Sequence, residues 1–218
     1  MKEMSLRQFI KNNASFRRLY NSIQIHIHGK KGIQLTCKGL GKNVRINNHG
    51  NNNAISIGCG VKLINCRFNI LGNNVKISIG DNCFLRDVEF WVENDNGYID
   101  IHNNTRLTGQ TQLASIEGSS ITIGEACLFS SNIHIRTGDS HSILDMNQIR
   151  INPSQNVYIG NHVWIGQSVI ILKGVCLPDN SIVGAGAVVT KQFTENNVVV
   201  AGNPARCVKR NINWTYER

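Results

Sequence analysis

An aliphatic residue returns at every sixth position from Ile159 to Val189: Ile159, Ile165, Ile171, Leu177, Val183 and Val189. Four positions after each comes a second apolar or small side chain, namely Val163, Val169, Val175, Ser181, Ala187 and Phe193. Such a period fits neither an α-helix nor the plain alternation of one long strand. It fits short strands that turn corners at equal intervals, each corner sending the equivalent residue inward. Three such flats make a coil of 18 residues, which predicts Ile159 over Leu177, Ile165 over Val183 and Ile171 over Val189. Gly160, Gly166 and Gly184 follow inward aliphatics and read as the points where the backbone bends. The expected architecture is an all-β parallel solenoid of triangular section. No coil can bury its apolar face alone, so the coils must continue on both sides.

Upstream the repeat is imperfect, as in Leu71-Gly72-Asn73-Asn74-Val75 and Ile79-Gly80-Asp81-Asn82-Cys83, and its spacing implies small insertions in the early coils. HGNNN at 49–53 reads as a corner, because Asn and Gly tolerate left-handed backbone. Phe90, Trp91 and Tyr98 bracket VENDNGYID, a stretch expected to leave the repeat and to offer an aromatic platform for an acceptor. Residues 1–22, with Phe9, Phe16 and Tyr20, read as a helix or arm that covers the first coil. Residues 23–200 form the solenoid, and residues 201–218 a cap in which Val208, Ile212 and Trp214 fold back over the last coil.

The strongest interruption follows Ile135. Inward positions become His141, Asn147 and Pro153, yet Ile159 resumes in phase 24 residues after Ile135. One coil is either modified or replaced by an excursion at about 141–156. A break in a strong repeat, next to a histidine, is where a reactive site belongs.

Composition narrows the classes. The net charge is +9, but the Lys and Arg residues are scattered rather than interleaved with aromatics. That argues against nucleic acid and suits phosphorylated cofactors or anionic glycans. No apolar run reaches 18 residues and MKEMSLRQFI is too polar for an export signal, so a cytoplasmic protein with no integral membrane segment is expected. The seven cysteines contain no CxxC pair, and Cys83 and Cys127 fall at inward positions, as reduced packing residues. His26 and His28 share a strand face without a third ligand nearby and read as solvent-facing. No metal is expected.

His141, in IRTGDSHS, is the candidate base, since imidazole can accept and return a proton near neutral pH. Asp139 and Asp145 compete to orient it. Trp164, one residue before the inward Ile165, should point outward as a platform or interface residue, and His162 is a weaker candidate. Ser140 and Ser142 lack the GxSxG setting of a nucleophile.

IGNHVWIGQSVIILKGVCLPDNSIVGAGAVVTK, followed by AGNPARCVK, resembles the left-handed β-helix acyltransferases built from hexapeptide repeats. Within them it is most similar to the branch that O-acetylates capsular or lipopolysaccharide sugars, sialic acid polymers among them. The resemblance is strong over about residues 123–210 and architectural before that. It implies a left-handed helix and a bacterial homotrimer with acetyl-CoA in the groove between neighbouring chains. It also implies an acetyl-CoA-dependent O-acetyltransferase acting on a carbohydrate hydroxyl.

By the same resemblance His141 is the base and Trp164 contacts the thioester end or acetyl group. Backbone amides around Gly166 and Ala185 hold the pantetheine arm, and Lys191, Arg206 and Lys209 take the nucleotide phosphates. An amino-sugar N-acetyltransferase is the alternative; the lack of a G-x-G-x-x-G after a first strand favours the O-acetyl reading. A non-catalytic binding solenoid is a second alternative. A γ-type carbonic anhydrase shares the fold, but His134, His141 and His162 lack the closely spaced pair its zinc site needs.

Overall fold

A computed structural model describes residue 10 and residues 13–217 of the chain. Three parallel sheets wind into a left-handed β-helix of about eight coils. Sheet A has eight strands, from Ile25–His28 to Val188–Val189; sheet B has seven, from Ile33–Cys37 to Cys176–Leu177. Sheet C has nine, from Leu40–Lys42 to Ala205–Lys209. The chain visits A, B and C in turn. The register is the one the hexapeptide period predicts: Ile159 pairs with Leu177, Ile165 with Val183 and Ile171 with Val189. All six side chains are fully buried, each stabilising the fold by about 1.5–3 kcal/mol relative to exposure.

The glycines after the inward aliphatics do not make the bends. The left-handed residues come three positions after each aliphatic, at His162 (φ 53°), Ser168 (φ 58°), Gly174 (φ 74°), Asn180 (φ 57°) and Gly186 (φ 70°). Gly160 and Gly166 are small for a different reason, the approach of the next coil. A Cβ on Gly160 would lie 2.4 Å from Asp179 Oδ1, and one on Gly166 would lie 2.7 Å from the Ala185 nitrogen.

Early coils are longer rather than irregular. Ile55, Ile77, Ile99 and Ile121 stack in one column at intervals of 22 residues, on strands of four or five residues. Asparagine takes the left-handed corners, and equivalent corners bond to each other: Asn43 Nδ2 donates to Asn65 Oδ1 and Asn65 Nδ2 to Asp87 Oδ1, both at 3.0 Å. HGNNN is such a corner, with Asn52 at φ 55°. VENDNGYID is another, turning at Asn96 (φ 61°), and does not leave the repeat. Phe90 is buried and stacks on Phe68 at 4.3 Å, whereas Trp91 lies on the outer face of sheet A and Tyr98 on that of sheet B. The three rings therefore form no common platform.

The interrupted coil is a single coil with an excursion. Ile123 pairs directly with Ile159, and Ile135 with Ile171, across 36 positions. The added chain leaves sheet A after Arg136 and rejoins sheet B at Val157.

The two ends are closed differently. Helix α1 (Ala14–Gln24) starts at Asn13, whose Oδ1 accepts from the amides of Ser15 and Phe16 at 3.1 and 3.3 Å. It meets the first coil through a polar residue: Asn21, 8% exposed, donates to the Gly39 carbonyl at 3.0 Å and accepts from the Gly41 amide at 3.1 Å. Phe16, Leu19 and Ile23 face outward. Phe9 lies outside the described residues. At the far end Val199–Gly202 runs parallel to Ile182–Val183, and Ala205–Lys209 then reverses as an antiparallel strand. The remaining tail does not cover the last coil. It climbs the side of the solenoid, so that Tyr216 Oη donates to the Ala126 carbonyl at 3.0 Å.

Cys83 and Cys127 are buried and free, and burial pushes their thiols up to about 11 and about 12, so they persist as packing residues. His26 and His28 are exposed on the outer face of sheet A. Among the described residues no helix is long and apolar enough to cross a membrane.

Candidate functional site

The excursion folds as a short hairpin. Leu144 and Arg150 bridge antiparallel, and the Ile151 amide donates to the Ile143 carbonyl at 2.9 Å. Asp145 shapes its turn, Oδ1 accepting from the amides of Asn147 and Ile149 at 2.8 and 2.9 Å. Asp145 is thereby committed to the hairpin and not to His141. Ile143, Leu144, Met146, Ile149 and Ile151 are all about half exposed or more, which leaves an apolar tip in solvent.

His141 stands on the outgoing leg, exposed, with no ring partner among the described residues. Its backbone is clamped instead. Asn152, only 6% exposed on the return leg, donates Nδ2 to the His141 carbonyl and to Asp139 Oδ2, each at 2.8 Å, while its Oδ1 accepts from the Ile143 amide at 2.6 Å. Lys173, from the next coil, donates to Asp139 Oδ2 and also reaches the Asn152 carbonyl at 3.2 Å. The Lys173 hydrogen bond, then that of Asn152, holds the Asp139 carboxyl below the usual carboxylate range. Asp139 thus fixes the segment carrying His141 and makes no bond to its imidazole. Arg150 and Ser154 anchor the return leg on Glu117, at 2.6 Å and 2.9 Å, and lower its pKa likewise.

Trp164 points outward from sheet C and is 40% exposed, as its place before Ile165 requires. Its neighbour is Trp214 from the tail, at 6.1 Å between ring centroids. Trp214 is 7% exposed, stacks on His162 at 4.3 Å and donates Nε1 to the His162 carbonyl at 2.8 Å. His162 Nδ1 in turn lies 3.0 Å from Asn180 Oδ1, a corner contact that ties His162 into the packing.

Below Trp164 the outer face of sheet C presents small residues. Gly166 is level with Gly184, Gly184 with Ala201, and Ala201 pairs with Arg206. Beside this stripe runs the column Trp164, Ile182, Val199 and Lys209. Arg206 and Lys209 therefore end two adjacent tracks that begin at the indole. Lys191 is not on them; it lies over the Phe193 ring at 5.7 Å, in a concavity shared with Cys207 and Arg210. The Gly166 amide is already spent, donating to the Val183 carbonyl at 2.8 Å, so Gly166 offers clearance rather than a hydrogen bond. Ala185 is exposed, and its amide makes no bond within the described chain.

The structure thus brings Asp139 to the His141 segment, and Trp164 and Gly166 to Arg206 and Lys209. It does not bring the two groups together. The hairpin leaves the corner between sheets A and B, whereas Trp164 lies on sheet C. Asn152, Lys173 and Trp214 are the members that sequence reasoning missed.

Residues 156–191 match the family model described as bacterial transferase hexapeptide (six repeats). A solved polysialic acid O-acetyltransferase, OatWY, superposes with a TM-score of 0.74 at 33% identity, covering 89% of this chain and 92% of that one. A galactoside O-acetyltransferase of Lactococcus lactis is 34% identical over 52% of this chain and 54% of its own length. A polysialic acid O-acetyltransferase of Neisseria meningitidis is 35% identical over 49% of this chain and 50% of its own. The chain spans about half the length of these curated relatives. With the stacked register and the extensive match to a solved member, the chain belongs to the left-handed β-helix acyltransferases built from hexapeptide repeats.

Proposed function

We propose that the protein is an acetyl-CoA-dependent O-acetyltransferase whose acceptor is a hydroxyl of a bacterial surface polysaccharide, with sialic acid polymers the favoured class. The supporting observation is the 33% identity to a polysialic acid O-acetyltransferase over nearly its whole solved chain. The stripe of Gly166, Gly184 and Ala201 that ends at Arg206, beside the column from Trp164 to Lys209, suits a slender thioester arm that ends in phosphates. On this reading Trp164 packs against the thioester end, Gly166 gives the arm room, the Ala185 amide bonds to it, and Lys191 approaches the phosphates from the solenoid's end.

In the proposed reaction His141 takes the proton of the sugar hydroxyl, and the oxygen attacks the acetyl carbonyl to form the new C–O bond. The C–S bond then breaks, and the proton held by His141 passes to the departing thiolate. Because His141 and Trp164 lie on different sides of one solenoid, the working site forms between chains of a homotrimer. The exposed hairpin tip is the surface that would reach the neighbour.

The test is an acetyl-CoA consumption screen against sialic acid polymers, neutral glycans and nucleotide-linked amino sugars. Transfer confined to amino groups would overturn the O-acetyl reading. His141→Ala is expected to lower kcat at least about 100-fold with an unchanged thermal midpoint, since its exposed ring has no hydrogen-bond partner among the described residues. A kcat within a few-fold of the parent would remove His141 as base.

A further inference from the structure

Outside the site just described, the outer face of sheet A carries a continuous polar surface. Its first concavity, of ≈ 600 Å³, is lined among others by His26, Arg45, Arg67 and Trp91. A second shares Trp91 and runs past Gln112 and Arg136 to Gly138 and Ser140, next to His141. A third shares Arg67 and Gln112 and adds His134. Apart from Gly138 and Ser140, which follow the last of them, these residues come from six successive strands, Ile25–His28 to Ile133–Arg136, a run of about 24 Å at the spacing of neighbouring strands.

The surface is organised by bonds between coils. Asn47 Nδ2 donates to Asn69 Oδ1 at 2.9 Å, and Asn69 Nδ2 to Glu89 Oε1 at 3.0 Å. From the other side Arg136 donates to Gln112 Oε1 at 3.1 Å, and Gln112 Nε2 to Glu89 Oε2 at 2.9 Å. Glu89 also faces Arg67 at 3.7 Å, Glu93 accepts from Trp91 Nε1 at 3.2 Å and Asp87 from Asn65 Nδ2 at 3.0 Å, so the carboxylates lining these concavities each have a partner within the chain. Cationic capacity is left over. The Arg45 guanidinium has no side-chain partner among the described residues, and the Arg67 and Arg136 side chains remain exposed. Half-buried Trp91 sits midway as a flat apolar surface.

We infer that this face is an extended binding track for an anionic polysaccharide, gripping the chain over several sugar units and delivering one of them to His141. The neighbouring guanidinium groups of Arg45 and Arg67, and that of Arg136 three strands on, pair with carboxylates along a polymer, amides meet its hydroxyls, and an indole takes the apolar face of a sugar ring. A monosaccharide would engage only the end near Ser140. The inference deepens the acceptor reading and rests on it for the direction of delivery.

The experiment is equilibrium binding of fluorescently labelled polysialic acid, disialic acid and dextran to the full chain, without acetyl-CoA. The polymer is expected to bind at least about tenfold more tightly than the dimer, in a salt-dependent way. Dextran is expected not to bind. The Arg45→Ala/Arg67→Ala double variant should lose about tenfold in polymer affinity, while Lys76→Ala on sheet B changes nothing and both keep the parent thermal midpoint.

Equal affinity for dimer and polymer, or a double variant that binds like the parent, overturns the track. Acetyl transfer to disialic acid, followed alongside, reports separately on the catalytic reading. Length-dependent binding without any transfer supports the track and removes the catalytic assignment. Transfer without length dependence does the reverse.

Discussion

His141 is held at its backbone, and its ring has no partner among the described residues. Asn152 fixes the carbonyl, Asp139 and Lys173 fix Asn152, and the imidazole projects into solvent. Trp164 differs, because a second indole sits behind it. Stacking of Trp214 on His162 is worth about 0.5–1.5 kcal/mol, enough to bias the surface on which Trp164 rests. Trp214→Ala is therefore predicted to raise the acetyl-CoA KM about fivefold with a smaller effect on kcat, one kcal/mol being roughly that factor. Trp214→Phe, which keeps the stack and loses the bond to the His162 carbonyl, should recover most of the loss. An acetyl-CoA KM unchanged in both variants would reduce Trp214 to packing.

The hairpin is anchored by carboxylates that titrate in acid. Asp139 and Glu117 both have lowered pKa values in the fold, so they support it above the usual carboxylate range, near 4. The anchoring is lost only as pH falls through the lowered values. Amide protection in residues 138–156, relative to intrinsic exchange, is predicted to hold down to about pH 4 and to fall below it, before the inward strands open; Asp139→Asn should lower that protection at every pH, since a neutral amide loses the charged pair with Lys173. Opening of hairpin and coils at one pH would show that these pairs do not control the hairpin locally.

The hairpin's limits were hidden in the sequence for a physical reason. An added stretch as long as one coil returns Ile159 in phase, so a modified coil and an excursion look alike. The inward register itself was legible because burial repeats it at every corner. Asn152 and Lys173 were not, since one buried amide and one lysine on the next coil carry no periodic signal. The tail lacks a repeat altogether, and its climb to Ala126 is visible only in three dimensions.

At the scale of the molecule, the proposed division of the site between two sides of the solenoid has a direct test. His141→Ala chains and Trp164→Ala chains, unfolded and refolded together, are predicted to regain activity that neither preparation shows alone. If the mixture stays as inactive as its components, the complete site lies within one chain.

The proposed trimer makes the ends of the stack matter, because it requires chains to lie side by side and not end to end. A parallel coil is an open template, and a stack of them is the geometry of a growing fibre. Asn21 acts as a chain terminator at one end, occupying the Gly39 carbonyl and Gly41 amide that an incoming strand would take. At the other end the reversal of Ala205–Lys209 presents an edge of the wrong polarity for another parallel coil. One amide and one change of direction give the helix a finite length, and leave its flanks for the association proposed above.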